Sequence, residues 1–421
     1  MINLFKKLLK QSENHNYISL AFKKLSKKTG VKQIFEAISN GSELGEIRYV
    51  GGCVRKIINK EFVDDIDLAV NLPTDKVCQI LNKNQIKFYE TGIKHGTLTA
   101  IIGDCKFEIT SLRKDIETDG RHAKINFSEN WLEDASRRDF SINSIYSDID
   151  GNLYDPFDGK NNIEKGKIEF IGDAEKRIKE DYLRILRYIR FFLHYSKTKH
   201  DTHVIKSIKK NLHGINNLSS ERLLDEFKKL ARSNFFLKIN KDKFCLDLIS
   251  LIFPQFKNFH LLKEEKKNYI KDLDFIILLA LLVNDQTDNV DYFLFKFRLS
   301  KNNQKRILFL RDFFLQSINK NTFSKKNLWK ILYYNNTQTL LDLLNYQIIN
   351  SKKDEKRLLE LIEFFKDKNP PIMPVHAQKI MGEFNIPEGK ELGIKLKKIE
   401  ERWVNNNFQI SDEEVKELAL S

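Results

Sequence analysis

A chain of 421 residues, 41% apolar and 31% charged, has enough apolar surface for several cores; this excludes an intrinsically disordered protein and leaves room for roughly two to four domains. The formal net charge of +14 suits a polyanionic partner such as nucleic acid, although Lys-rich drift along the whole chain would give the same balance. Cys53, Cys78, Cys105 and Cys245 show no CxxC spacing, which argues against a zinc ribbon or a disulfide framework and for a reducing cytoplasm. The longest apolar run, Phe275–Val283, is too short to cross a bilayer.

In chain order, the basic amphipathic start MINLFKKLLKQ lacks the apolar core and cleavage site of a signal peptide and reads as a first helix. Ile47–Val50 reads as a strand, Gly51–Gly52 as a turn and Val54–Ile58 as the start of a helix. Asp65–Val70 alternates like a strand, and Thr74 is the expected N-cap of a helix through Asn82. Leu98–Ile102 and Phe107–Thr110 read as strands joined by a turn at Gly103–Asp104. Residues 112–128 carry charge, Gly120 and little periodicity, and read as a long functional loop. Strand signals fade after about residue 150. The stretch Asp173–Tyr195, with an N-cap and an apolar stripe, reads as one helix. Helical patterns continue almost to the end, interrupted by a linker at Pro370, Pro371 and Pro374, and there is no internal repeat.

Three features in the first half carry chemistry. Gly51–Gly52, between a strand and a helix and followed by Arg55, lets backbone N–H groups approach phosphate; alone, a glycine pair is more often only a turn. Asp65-Ile66-Asp67 puts two carboxylates on one face of a strand, where their repulsion calls for a divalent metal. A solvated strand face is the alternative for an isolated D-x-D, but this one follows the glycine turn by thirteen residues. Asp181 and Arg184 share a helical face, a spacing that also fits a surface ion pair. His200-Asp201 lacks companion metal ligands and reads as a helix start, and Phe191, Phe192 and the run at 278–282 read as core. His95 reads as a turn residue. Lys395, Lys397 and Lys398 fit either an RNA-backbone track or solvated faces.

The segments GGCVRK, DIDLAV, GIKHGT, FEITSLR, RRDFSINS, DPFDG and EDYLRILRYIRF occur in an order that resembles the bacterial class II tRNA nucleotidyltransferase (CCA-adding enzyme) and poly(A) polymerase family. The resemblance extends to Ser219–Glu226 and to the tail from Pro370 through Trp403, and so spans nearly the whole chain. It implies an α+β protein with an N-terminal polymerase-beta-like nucleotidyltransferase head at 1–148. An all-helical neck at 149–235, body at 236–368 and tail at 369–421 follow. It matches Asp65 and Asp67 to the metal pair, and Gly51, Gly52 and Arg55 to the triphosphate turn. Arg137, Arg138 and Asp139 match a ribose and phosphate motif, Asp181 and Arg184 the base-selecting pair, with Arg187 in the same motif, and Glu221 and Arg222 a supporting neck motif. Glu108 is the candidate third carboxylate, with a structural role as its alternative. The family usually has aspartate where this chain has Lys56, so the phosphate turn is expected to be held differently.

The implied activity is Mg²⁺-dependent addition of C and A to the 3′ end of tRNA from CTP and ATP. Cytosine and adenine both present an amine donor beside a ring-nitrogen acceptor, an edge that Asp181 and Arg184 complement; uracil and guanine reverse it. The alternatives are a poly(A) polymerase, a partial CC- or A-adding enzyme and a catalytically inactive RNA-binding protein. GIKHGT and the long segment after Ser111 argue against the first, the length of Leu112–Phe127 argues against CC addition alone, and the retained aspartates with the Asp181/Arg184 pair argue against the last.

Overall fold

The computed structural model describes residues 17–92, 96–118, 123–316, 321–351 and 355–421. The expected helix over residues 1–11 and His95 lie outside them. The chain divides into two compact units, Met1–Ile239 and Asn240–Ser421.

The first unit opens with α1 (17–29) and α2 (Lys32–Gly41), then β1 (Ile47–Val50) and α3 (Gly52–Ile58). β2 (Asp67–Val70), α4 (Thr74–Lys83), β3 (Lys87–Gly92), β4 (Thr97–Ile102) and β5 (Cys105–Ser111) follow. With β8 (Tyr146–Ser147) and β9 (Leu153–Tyr154), to which the chain returns after β6, β7 and α5, they form one sheet in the order β3-β4-β5-β2-β1-β8-β9. Only β2 and β5 pair in parallel; the other pairs are antiparallel. Alternation then sorts the side chains. Tyr49, Leu68, Val70, Phe107 and Ile109 take the buried helix side, where the Tyr49 ring meets Phe22 and Phe35 with centroids 4.9 and 5.0 Å away. Val50, Asp67, Ala69 and Glu108 take the other face, where Val50 and Ala69 pack with Leu112, Ala135 and Tyr146.

Several expectations need correction. Residues 112–128 are not a loop: β6 (Arg113–Thr118) and β7 (Ala123–Phe127) pair as an antiparallel ribbon, apart from the large sheet. β6 (RKDIET) carries no apolar alternation to read, and β7 (AKINF) alternates over only five residues. β2 begins at Asp67 and not at Asp65, because its pairing with β5 begins at Asp67 opposite Glu108. The N-cap position of α4 is Pro73; Thr74 is its first helical residue, and its hydroxyl meets Ser111 Oγ at 3.0 Å. The sheet itself runs on to Tyr154.

The largest correction concerns 173–195. In place of one helix there are two, α7 (Ala174–Glu180) and α8 (Leu183–Tyr195), with Asp181 in extended conformation between them. Before them come α5 (Trp131–Ser136) and α6 (Gly159–Lys165), and after them α9 (Thr202–Asn211) and α10 (Ser220–Ala231). Asp173 caps α7 through the Lys176 amide, and Asp201 caps α9 through the amides of His203 and Val204, so the His200-Asp201 dipeptide is the helix start expected of it. The His200 ring stacks on Phe192 at 3.6 Å.

The second unit is helical. Its apolar run Phe275–Val283 is a helix buried along nearly its whole length, and no helix of the described residues is long and apolar enough to cross a membrane. After the proline segment, helices Ala377–Phe384, Lys390–Asn405 and Asp412–Leu420 enclose a core of Ile380, Leu392, Ile399 and Val415.

Candidate nucleotide-binding and active site

A cleft of about 460 Å³ opens in the first unit above the face of the sheet that carries Asp67. Its floor begins at the turn between β1 and α3. Gly51 has φ +66° and ψ −114°, a backbone region that a residue with a side chain enters only with strain. Its N–H donates to Ile145 O at 3.3 Å, and Gly52, the first residue of α3, lies beside Asp67 Oδ2. One turn along α3, Arg55 is buried; its guanidinium donates to Asn143 Oδ1 and lies over the rings of Phe191 and Tyr195.

The carboxylates stand next to this turn. Asp67 and Glu108 are register partners on parallel β2 and β5, so their side chains share a face. Asp65 lies just before the strand and is exposed, and neither it nor Glu108 lines the cleft itself. Burial pushes the Asp67 carboxyl up to about 6, with the charges of Glu108 and Asp65 adding to the shift and those of Arg138 and Arg55 opposing it. Three mutually repelling carboxyls are a donor set that a hard divalent cation fits, and polymerase-beta-like nucleotidyltransferases generally use divalent metals.

The cleft wall is an array of arginines, four of them held from behind by buried carboxylates. Arg138 donates through Nε and Nη2 to Asp134 Oδ2 at 3.1 and 2.9 Å, Arg137 donates through Nε to Asp134 Oδ1 at 2.8 Å, and the Tyr146 hydroxyl donates to Oδ2 at 2.6 Å. Those two guanidinium groups hold the buried Asp134 carboxyl well below its usual range, against the effect of burial. Asp139 accepts from Arg187 Nε at 2.6 Å, from Asn143 Nδ2 at 2.8 Å and from the Phe140 amide at 2.9 Å, and is likewise held low against burial. Arg190 is paired with Glu226, which is buried on α10. The buried carboxylates of Asp134, Asp139 and Glu226 thus fix the directions of Arg137, Arg138, Arg187 and Arg190 before any ligand arrives.

Asp181 and Arg184 both line the cleft, but not as a pair on one helical face. Asp181 Oδ2 accepts from Arg222 Nη2 at 2.8 Å and its Oδ1 from the Leu183 amide at 3.1 Å. Arg184 Nη1 donates to Glu180 Oε2 at 2.7 Å and to the Arg177 carbonyl at 2.8 Å. Arg177 itself grips the carbonyls of Arg137 and Arg138, tying α7 to the motif before the 3₁₀ turn Ser141–Asn143.

Of the residues singled out from sequence, Gly51, Gly52, Arg55, Asp67, Arg137, Arg138, Asp139, Asp181, Arg184 and Arg187 come together in this cleft. Arg222 sits behind it on Asp181, and Glu221 is exposed. Arg113, Asn143 and Arg190 also line it and were missed. The last two stand inside RRDFSINS and EDYLRILRYIRF, and Arg190 continues the three-residue spacing of Arg184 and Arg187. Phe191 is buried as expected, yet its ring also underlies Arg55 and Arg190. Lys56 makes an ion pair with Asp64, so a carboxylate that directly precedes Asp65 partners the basic side chain at this departure from the family pattern.

Residues 47–169 match the family model of the poly A polymerase head domain. The chain is 32% identical to CCA tRNA nucleotidyltransferase 1, mitochondrial, of Homo sapiens over 408 residues, 92% of this chain and 88% of that protein. It is 28% identical to the CCA-adding enzyme of Staphylococcus haemolyticus over 360 residues, 84% of this chain and 85% of that one. Among solved structures, the Bacillus stearothermophilus CCA-adding enzyme in complex with CTP superimposes with a TM-score of 0.70, covering 92% of this chain and 95% of that one at 19% identity.

Proposed function

This chain belongs to the CCA-adding tRNA nucleotidyltransferase family, and from that premise we propose that it adds C and A to the 3′ end of tRNA from CTP and ATP, releasing pyrophosphate. The observation that carries the reading is the cleft itself. An arginine wall suited to a triphosphate and a donor–acceptor pair suited to a base edge share one cavity with Asp67, the member of the metal-suited carboxylate group that reaches it. A poly(A) polymerase shares the head, but the relatives matched over most of the chain are named for CCA addition.

Asp65 and Asp67, with Glu108 beside them, would hold the divalent cations, which we take to be Mg²⁺. When bound, these ions lower the pKa of the attacking hydroxyl and neutralise charge on the triphosphate. The 3′-oxygen of the RNA attacks the α-phosphorus in line as the bond to the pyrophosphate oxygen breaks. Arg55, Arg138 and the Gly51–Gly52 backbone face the negative charge that builds on the leaving group. Arg187 and Asp139 brace the same wall. Asp181 accepts from the base amine and Arg184 donates to the ring nitrogen, each having hydrogen-bonding capacity beyond its protein partner. Uracil or guanine would set carbonyl against carboxylate, an unpaired arrangement in a partly dry pocket.

The division at Ile239 supports a head and neck followed by body and tail, and the separate core around Ile380 supports the tail at 369–421. Four free thiols, with Cys53 and Cys245 buried, suit a reducing compartment such as the cytoplasm. The test is tRNA ending before CCA, given CTP and ATP singly and together, with products sized. The expected outcome is C addition with CTP alone and a complete CCA end with both, abolished in Asp65→Ala and Asp67→Ala while tRNA binding persists. Long A tracts, or a tenth of the wild-type rate in either variant, would overturn the assignment.

A further inference from the structure

The break between α7 and α8 has no cause in its own backbone chemistry. Residues Glu180, Asp181, Tyr182 and Leu183 include neither glycine nor proline, and the apolar stripe runs through them as if the helix were continuous. Asp181 nevertheless takes φ −153° and ψ 106°, and α8 starts afresh after Tyr182. Side chains must therefore impose the break. Two contacts are those of Asp181 with Arg222 and with the Leu183 amide. The third is the Tyr182 ring, which lies directly on Gly214 in the 3₁₀ turn Leu212–Asn217. A Cβ at residue 214 would stand 2.0 to 2.2 Å from three ring carbons, far inside van der Waals contact. Gly214 is not among the glycines with positive φ, so close approach, and not backbone freedom, is what requires glycine there.

We propose that the seat of Tyr182 on Gly214 is a positioning contact for nucleotide selection: it fixes the angle at which α8 leaves Asp181, and so the placement of Asp181 and Arg184 in the cleft. The proposal rests on the reading of those two residues as the base-selecting pair. Neither Tyr182 nor Gly214 lines the cleft, so both act through Asp181 and Arg184.

The experiment compares wild type, Gly214→Ala, Tyr182→Phe, Tyr182→Ala and the double variant Tyr182→Ala/Gly214→Ala. Incorporation of each of the four nucleotides into tRNA is followed under single-turnover conditions, alongside tRNA affinity and thermal melting. Gly214→Ala should lower the preference for CTP over UTP by about tenfold, the scale of one misaligned contact, while tRNA affinity holds. Tyr182→Phe keeps the ring and should keep the preference. Removing the ring removes the clash, so the double variant should match Tyr182→Ala to within about twofold. Wild-type selectivity in Gly214→Ala, an equal loss for all four nucleotides, or additive effects in the double variant would overturn the proposal. If Gly214→Ala does not fold, the two Tyr182 variants decide: equal selectivity in both overturns it. A wild type that does not prefer CTP and ATP overturns the functional reading, and the proposal with it.

Discussion

Asp134 is only 1% exposed and meets two guanidinium groups and a tyrosine hydroxyl, so its charge is fully committed inside the protein. Asp134→Asn would leave Arg137 and Arg138 without their counter-charge, a change that typically costs about 3–5 kcal/mol. A carboxyl held below its unfolded pKa stabilises the fold above that unfolded value, and the contribution is lost only as pH falls towards the lower, folded one. The drop in melting temperature for Asp134→Asn should therefore be the same at pH 5 and pH 8 and shrink only in acid below about pH 4. Because Arg138 is released, the KM for both CTP and ATP should rise together. Arg184 makes the opposite kind of prediction. Arg184→Ala should relax discrimination against UTP and GTP by roughly ten- to a hundredfold, the equivalent of about 1.5–3 kcal/mol, and leave tRNA affinity nearly unchanged. Incorporation of all four nucleotides by wild type and variant measures it. An equal loss of rate for all four would mean that Arg184 serves only to brace Glu180 and Arg177.

The β6–β7 ribbon joins the sheet right after Ser111 and begins with Arg113, which lines the cleft. The length of this segment is what the resemblance sets against CC addition alone, so replacing the far part of the ribbon with a tight Asn-Gly turn should leave C addition in place and stop A addition. Gel sizing of products with both nucleotides present reads the outcome; full CCA ends from the shortened protein would show the ribbon to be dispensable. Elements with one face buried were legible from sequence: β1, β4 and β5 alternate because Tyr49, Leu98, Ala100, Phe107 and Ile109 point into a core. β3 was missed because it is an edge strand with Tyr89 half exposed, and the ribbon because β6 has no hydrophobic period and β7 alternates over only five residues. The break at Asp181 was invisible for a related reason: two of the three contacts there, with Arg222 and Gly214, come from more than thirty residues away in sequence. Most cleft residues were legible as motifs. The roles of Asp134 and Glu226 behind the cleft were not, because an acidic residue beside another acid on a helix looks like solvated surface until its buried partners are seen.

Across the whole chain, 72 basic against 58 acidic side chains give the +14 charge, and many of the cleft arginines are already neutralised internally. The excess that remains for RNA is therefore carried largely by lysines, whose contacts are sequence-independent and exchange with salt. The affinity for tRNA should fall steeply on a logarithmic plot against salt concentration, with a slope corresponding to several released counterions; a nearly flat plot would mark the charge as compositional. Nucleotide selectivity, resting on contacts within the cleft, should be far less sensitive over the same range. On the proposed reading of Asp181 and Arg184 as the base selector, the two ion pairs that fix them also set what that selector is able to know. Tied to Arg222 and Glu180, it accepts the edge that C and A share and returns the same answer at every cycle. It stores no letter order and keeps no tally. The sequence of a CCA end must then be written in the growing primer, whose own length distinguishes one round from the next: the protein supplies the alphabet, and the unfinished product is the memory.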